Sequence, residues 1–129
     1  MLESMVTGLE NLNIYKLAVE LELRVFKITK AFPVEEKYRS VDQLRRSSAS
    51  VSNNIAESYH KRSLKEKVRI LRDIVNGEAE ETKRNLEVSA QKGFHQDFAI
   101  IDRYTDLMKM VSGFIRFLRA NEQTNKLNN

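Results

Sequence analysis

At 129 residues, with 41% hydrophobic and 31% charged side chains and a formal net charge of +4, the chain has the size and balance of one globular domain. Four glycines and one proline are too few for a sandwich or barrel of tight turns, and the absence of cysteine excludes disulfides, thiolate zinc sites and cysteine nucleophiles. No apolar run approaches the ~20 residues that span a bilayer, and MLESMVTGLENLN lacks the basic and apolar regions of a secretory signal. A cytoplasmic protein without membrane contact is the expectation.

Residues 1–11 carry no sustained period and read as a flexible arm. From Leu12, the residues Ile14, Leu17, Leu21, Val25, Ile28 and Phe32 advance by three or four, the stripe of a core-facing helix. Asn11 or Asn13 is the candidate N-cap, and Pro33 is the expected stop, because proline disfavours helical geometry in the residue before it. A second stripe follows in Val41, Leu44, Ser48, Val51 and Ile55, flanked by small residues that let a neighbouring helix approach. After a break at Tyr59–Arg62, Ser63 and Glu66 have the spacing of a capping box.

The third helix is expected from Leu64 to Gln91, with Leu64, Val68, Leu71, Val75 and Leu86 inward and a polar middle at Glu78 and Thr82. Gly77 inside it suggests a close helix crossing, and Gly93 suits a left-handed C′ position. The fourth helix is expected from Gln96 to Ala120, facing inward with Ile101, Tyr104, Leu107 or Met108, Val111, Phe114 and Leu118. Residues 121–129 read as a flexible tail. Four helices with short connections predict an all-α fold, an antiparallel up-down-up-down four-helix bundle over residues 12–120.

Four stretches carry a resemblance: LNIYKLAVEL (12–21), FPVEEKY (32–38), QLRRSSASVSNNIAES (43–58), and Gly77 with Glu81. The chain resembles, over about residues 12–119, the four-helix bundle proteins encoded in intervening sequences of bacterial 23S ribosomal RNA genes, the S23-like family. It departs from the family pattern at Tyr15, Ser58 and Glu78. The resemblance implies a homopentamer. It also implies kinship with the accessory protein of diversity-generating retroelements, a bundle that contacts nucleic acid and a reverse transcriptase.

Charge is uneven. Between Lys37 and Asp73 basic residues outnumber acidic ones by six, while the rest of the chain is net negative by two. The bend into the third helix concentrates Lys61, Arg62, Lys65, Arg69 and Arg72, a candidate stripe for phosphates of RNA or DNA, against the plainer reading of a solubilising face. No aromatic residue interleaves with it beyond Tyr59, so binding indifferent to base sequence is expected. Arg45 and Arg46 beside Leu44, with Asn54 and Glu57 on the same helix and Glu81 on the next, read as structural or subunit-interface polar residues pairing arginine with carboxylate; direct ligand contact is the alternative. A second apolar row on the first helix, Tyr15, Val19, Leu23 and Phe26, exceeds what one bundle core needs and predicts self-association.

Catalytic signatures are missing. One Glu-x-x-His at Glu57–His60 falls short of the two a di-iron bundle needs, and no HExxH, phosphate loop or nucleophile elbow is present. Neither His60 nor His95 has the arginine four to six residues earlier that marks HEPN-type helical ribonucleases. The expectation is a non-enzymatic protein with no metal or cofactor, acting as a nucleic-acid-binding scaffold. The alternative is an adaptor for a reverse-transcriptase-like or ribosomal partner.

Overall fold

The first apolar stripe folds as α1 (Asn13–Thr29), which buries Ile14, Leu17, Ala18, Leu21, Val25 and Thr29. The computed structural model describes the backbone of residues 8–128 and the side chains of residues 8–122, so residues 1–7 of the expected arm and Asn129 lie outside the described residues. Neither asparagine caps α1: Leu12 holds the N-cap position without a side-chain bond, and a 3-10 turn, Leu9–Asn11, leads into it. α1 ends at Thr29, ahead of the expected Phe32, because the chain tightens into successive i→i−3 bonds from Lys30, Ala31 and Phe32. Phe32 is buried nonetheless, and Pro33 opens a further 3-10 turn, Val34–Glu36.

α2 (Ser40–His60) buries the expected Val41, Leu44, Ser48, Val51 and Ile55, and adds Ser47, Ser52 and Ser58. These serines enter the interior because each hydroxyl bonds a carbonyl three residues back; Ser58 Oγ, for example, donates to the Ile55 carbonyl at 2.8 Å. Ser63 then caps the next helix, its Oγ accepting from Glu66 N at 3.1 Å, while the Glu66 carboxylate turns to Arg69.

The third rod, α3, starts as Leu64–Arg69, passes through a π-helical segment, Ile70–Val75, and continues as Asn76–Gln91. The wider π turn, which the spacing alone does not predict, lets the adjacent Ile70 and Leu71 both reach the core along with Val75. Ala79, Thr82, Leu86 and Ser89 continue the buried side. Gly77 is not at a close crossing, since a Cβ added there would meet nothing within 4 Å. Gly93, at φ +83, closes the rod with Gly93 N donating to the Ala90 carbonyl and Phe94 N to the Ser89 carbonyl, the paired bonds of a Schellman cap.

α4 (Phe98–Asn128) runs past the expected end at Ala120. Its innermost row is Ile100, Tyr104, Leu107, Val111 and Ile115; Ile101, Met108, Phe114 and Leu118 are half-buried beside it. Two neighbouring apolar rows on α4 both fit helical spacing, and packing selected between them. Among the described residues no strand forms. Cross-helix partners run in opposite numerical order: Phe26–Thr29 meets Arg45 and Glu22 meets Ser52, while Ser47 meets Thr82 and Ser50 meets Glu78. α1 packs on α2 and α4, and α3 packs on the same two helices, around a single core.

Candidate nucleic-acid interface and assembly face

The bend between α2 and α3 carries the predicted basic stripe, and local geometry puts carboxylates among its cations. Lys61 Nζ lies 3.0 Å from Glu57 Oε2, Arg69 lies 3.4 Å from Glu66 Oε1, and Arg72 Nε lies 2.9 Å from Asp73 Oδ1. The Arg72–Asp73 contact raises the arginine pKa and holds the aspartate below its ordinary value, chiefly through their hydrogen bond. Arg62 and Lys65 are exposed and make no ion pair among the described residues. Lys67 leaves the surface: its Nζ donates to the carbonyls of Ser58 at 3.2 Å and Tyr59 at 2.9 Å, closing the C-terminal end of α2. Desolvation lowers its pKa below the ordinary 10.5.

Within one chain, the expected pairing of Arg45 or Arg46 with Glu57 or Glu81 does not form. Arg45 instead reaches α1, where its Nε donates to Thr29 Oγ1 at 2.9 Å and its guanidinium sits 4.4 Å above the centre of the Phe26 ring. Arg46 points outward, four-fifths exposed, and pairs with Asp42 one turn back at 3.2 Å. Glu57 is taken by Lys61 because the two lie one turn apart on the same helix face. Asn54 Nδ2 donates to the Ser50 carbonyl and hydroxyl, and Ser50 Oγ donates to Glu78 Oε2 at 3.0 Å, so this relay ties α2 to α3. Gln43, Arg46, Ser47, Ser50, Glu78 and Glu81 line one polar groove, which brings Arg46 and Glu81 together without a direct bond.

The second row on α1 divides along its length. Tyr15 packs against the core and Val19 is half-buried, whereas Leu23 and Phe26 remain 56% and 45% exposed. Lys30 joins Arg45 at the Phe26 ring, 4.8 Å from its centre, so this end of the row is an aromatic surface flanked by two cations.

The Arg24–Asp97 clamp, the His95 contacts and the orphaned hydroxyl of Tyr104 escaped the sequence reading, although Tyr104 itself was expected inward. Arg24 donates both to Asp97 Oδ1 at 2.8 Å and Oδ2 at 2.9 Å, and Asp97 Oδ1 also accepts from Ile100 N, so one carboxylate caps α4 and clamps it to α1. The signal was an aspartate immediately before an apolar helical run. His95, buried and stacked on Phe32, accepts at Nδ1 from Asp97 N, which leaves Nε2 to donate to the Leu86 carbonyl at 2.8 Å. Tyr104 is fully buried with no partner for its hydroxyl, and burial pushes its phenol pKa well above the ordinary value, with the Glu22 charge adding to the rise.

No group of three or more histidine, aspartate or glutamate side chains suited to a metal ion occurs among the described residues, and no described helix is long and apolar enough to cross a membrane. The family model for 23S rRNA-intervening sequence proteins matches residues 10–115. The chain belongs to that family. A crystal structure of a protein of unknown function from the S23 ribosomal protein family of Bacteroides thetaiotaomicron VPI-5482 superposes with a TM-score of 0.68 at 23% identity, covering 79% of this chain and 97% of that one. That likeness shows the shared fold. No curated protein matches this chain. The family match spans the α2 pattern QLRRSSASVSNNIAES, whose polar residues supply the Arg45–α1 contact and the Asn54–Ser50–Glu78 relay. Two departures from the family pattern find partners, Ser58 at the Ile55 carbonyl of its own helix and Glu78 at Ser50 across α2 and α3.

Proposed function

We propose that this member of the 23S rRNA-intervening sequence family is a non-enzymatic scaffold. In this reading it is an antiparallel up-down-up-down bundle that assembles into a homo-oligomer, a pentamer by its family resemblance, and contacts RNA or DNA without sequence readout. The opposed numbering of hydrogen-bond partners across α1–α2 and α2–α3 supports the antiparallel order. The observation that carries the assembly is Leu23 and Phe26, still about half exposed once the four-helix core is complete. Arg62 and Lys65 are the cations left to meet phosphate, and assembly multiplies them into a pooled positive field.

The adaptor alternative gains from the carboxylates beside Lys61, Arg69 and Arg72, which blunt the stripe that nucleic acid would need. Fluorescence anisotropy with short single- and double-stranded RNA and DNA at two salt concentrations separates the readings. Salt-sensitive binding lost in Arg62→Ala with Lys65→Ala supports nucleic-acid contact. No binding at low salt leaves the adaptor. Light scattering of the unaltered protein tests assembly separately, and a monomer at all concentrations overturns it.

A further inference from the structure

The bundle presents a second exposed face of mixed polar and apolar side chains, on the side away from the α1 row. Between α3 and α4, Ala90 and Gln91 face Phe98 and Ile101 across a groove of about 370 Å³, with the carboxylates of Glu87 and Asp102 at its edges. Phe98 is 62% exposed, and neither carboxylate makes an ion pair among the described residues. Because α1 and α3 each pack on α2 and α4, they sit diagonally, which puts the outer α1–α2 face opposite the outer α3–α4 face. The two patches are also level along the bundle. Arg24, next to Leu23, grips Asp97, next to Phe98, at 2.8 Å.

We infer that the α3–α4 groove is the docking site for the Leu23–Phe26 face of a second copy of this chain. This rests on the self-assembly proposed above and names the surface that receives it. Charge decides the pairing. The α1 patch carries Arg45 and Lys30 at the Phe26 ring, whereas the groove is edged by Glu87 and Asp102. Two α1 patches brought together would oppose cation to cation, and two grooves would oppose carboxylate to carboxylate; patch against groove neutralises both. An interface made from two different faces is head-to-tail, so every subunit offers one free patch and one free groove. Patches on opposite sides at one height place successive copies side by side; a fixed turn at each contact closes them into a ring about an axis along the bundles, and no turn leaves an open row.

Two variants and their mixture test this. Leu23→Glu with Phe26→Glu removes the patch, and Phe98→Gln with Asp102→Lys removes the groove; all four side chains are exposed. Size-exclusion chromatography with light scattering, checked by circular dichroism for native helix content, is expected to give each variant alone at the 15.0 kDa of one chain. Mixed one to one, the variants are expected to form a capped dimer of twice that mass and nothing larger, since only one patch and one groove remain intact between them. Should a variant lose its helix content, the charge-only changes Lys30→Glu and Glu87→Lys serve instead: each alone shrinks the assembly and their combination in one chain restores it. An unaltered protein that is monomeric overturns the self-assembly itself. An unaltered oligomer whose groove variant stays assembled, or whose mixed variants give no dimer, overturns the head-to-tail docking and leaves self-association standing.

Discussion

Asp97 offers the most direct measure of what holds α1 against α4. Its carboxylate performs two separable tasks, accepting the Ile100 N–H at 3.2 Å and meeting Arg24 Nη2 with both oxygens, at 2.8 and 2.9 Å. Loss of an N-cap costs about 1 kcal/mol. One guanidinium nitrogen meets both carboxylate oxygens and the side chains are only 30% and 23% exposed, so the pair exceeds a surface ion pair; after allowance for remaining solvent screening it should contribute about 1–2 kcal/mol. Asp97→Ala, which removes both, is therefore expected to cost about 2–3 kcal/mol. Asp97→Asn keeps an oxygen for the cap and loses the ion pair, costing about 1–2 kcal/mol, and Arg24→Met should cost the same. The assay is urea unfolding followed at 222 nm, at one fixed protein concentration because self-association adds to apparent stability. A double-mutant cycle of Arg24→Met and Asp97→Asn isolates the pair. A coupling energy below about 0.5 kcal/mol would refute the clamp, and equal costs for Asp97→Ala and Asp97→Asn would refute the cap.

Other consequences follow from single contacts. Tyr104→Phe removes a buried hydroxyl that has no partner, and calorimetry should show a gain of about 1 kcal/mol. The raised phenol pKa means the unfolded chain releases this proton first, so stability falls as pH rises past the ordinary 10.0, and Tyr104→Phe should flatten that share of the loss. Gly77→Ala meets only open space and should stabilise α3 by up to about 1 kcal/mol in thermal melts; a loss would mean that another subunit covers the position. Lys67→Met deprives the last α2 carbonyls of their ammonium donor and should cost about 1–2 kcal/mol by urea unfolding, with Lys67→Arg recovering part of it. For duplex binding through Arg62 and Lys65 alone, counterion release predicts an affinity loss of about tenfold per engaged chain between 50 and 200 mM salt; a loss of about 500-fold would mean that Lys61, Arg69 and Arg72 shed their carboxylates and all five cations engage.

The period of the apolar residues was enough to place four helices, the inward faces of α1 and α2, the Ser63 cap and the Gly93 stop, because these depend on spacing of 3.6 and on local backbone chemistry. Spacing cannot rank two rows that both satisfy it, so Ile100 and Ile115 displaced Ile101 and Phe114 at the centre of the core only once the neighbouring helices set which row fits. The π turn at Ile70–Val75 belongs to the same class, since an extra residue in one turn is justified only by what it brings into contact. Charged residues were the least legible. Arg45, Lys67 and Arg24 each chose partners on other helices or across the α2–α3 bend, and Lys61, Arg69 and Arg72 settled on nearby carboxylates. A long flexible cation can reach several partners from one backbone position, and only the folded arrangement decides which of them lies within 3 Å.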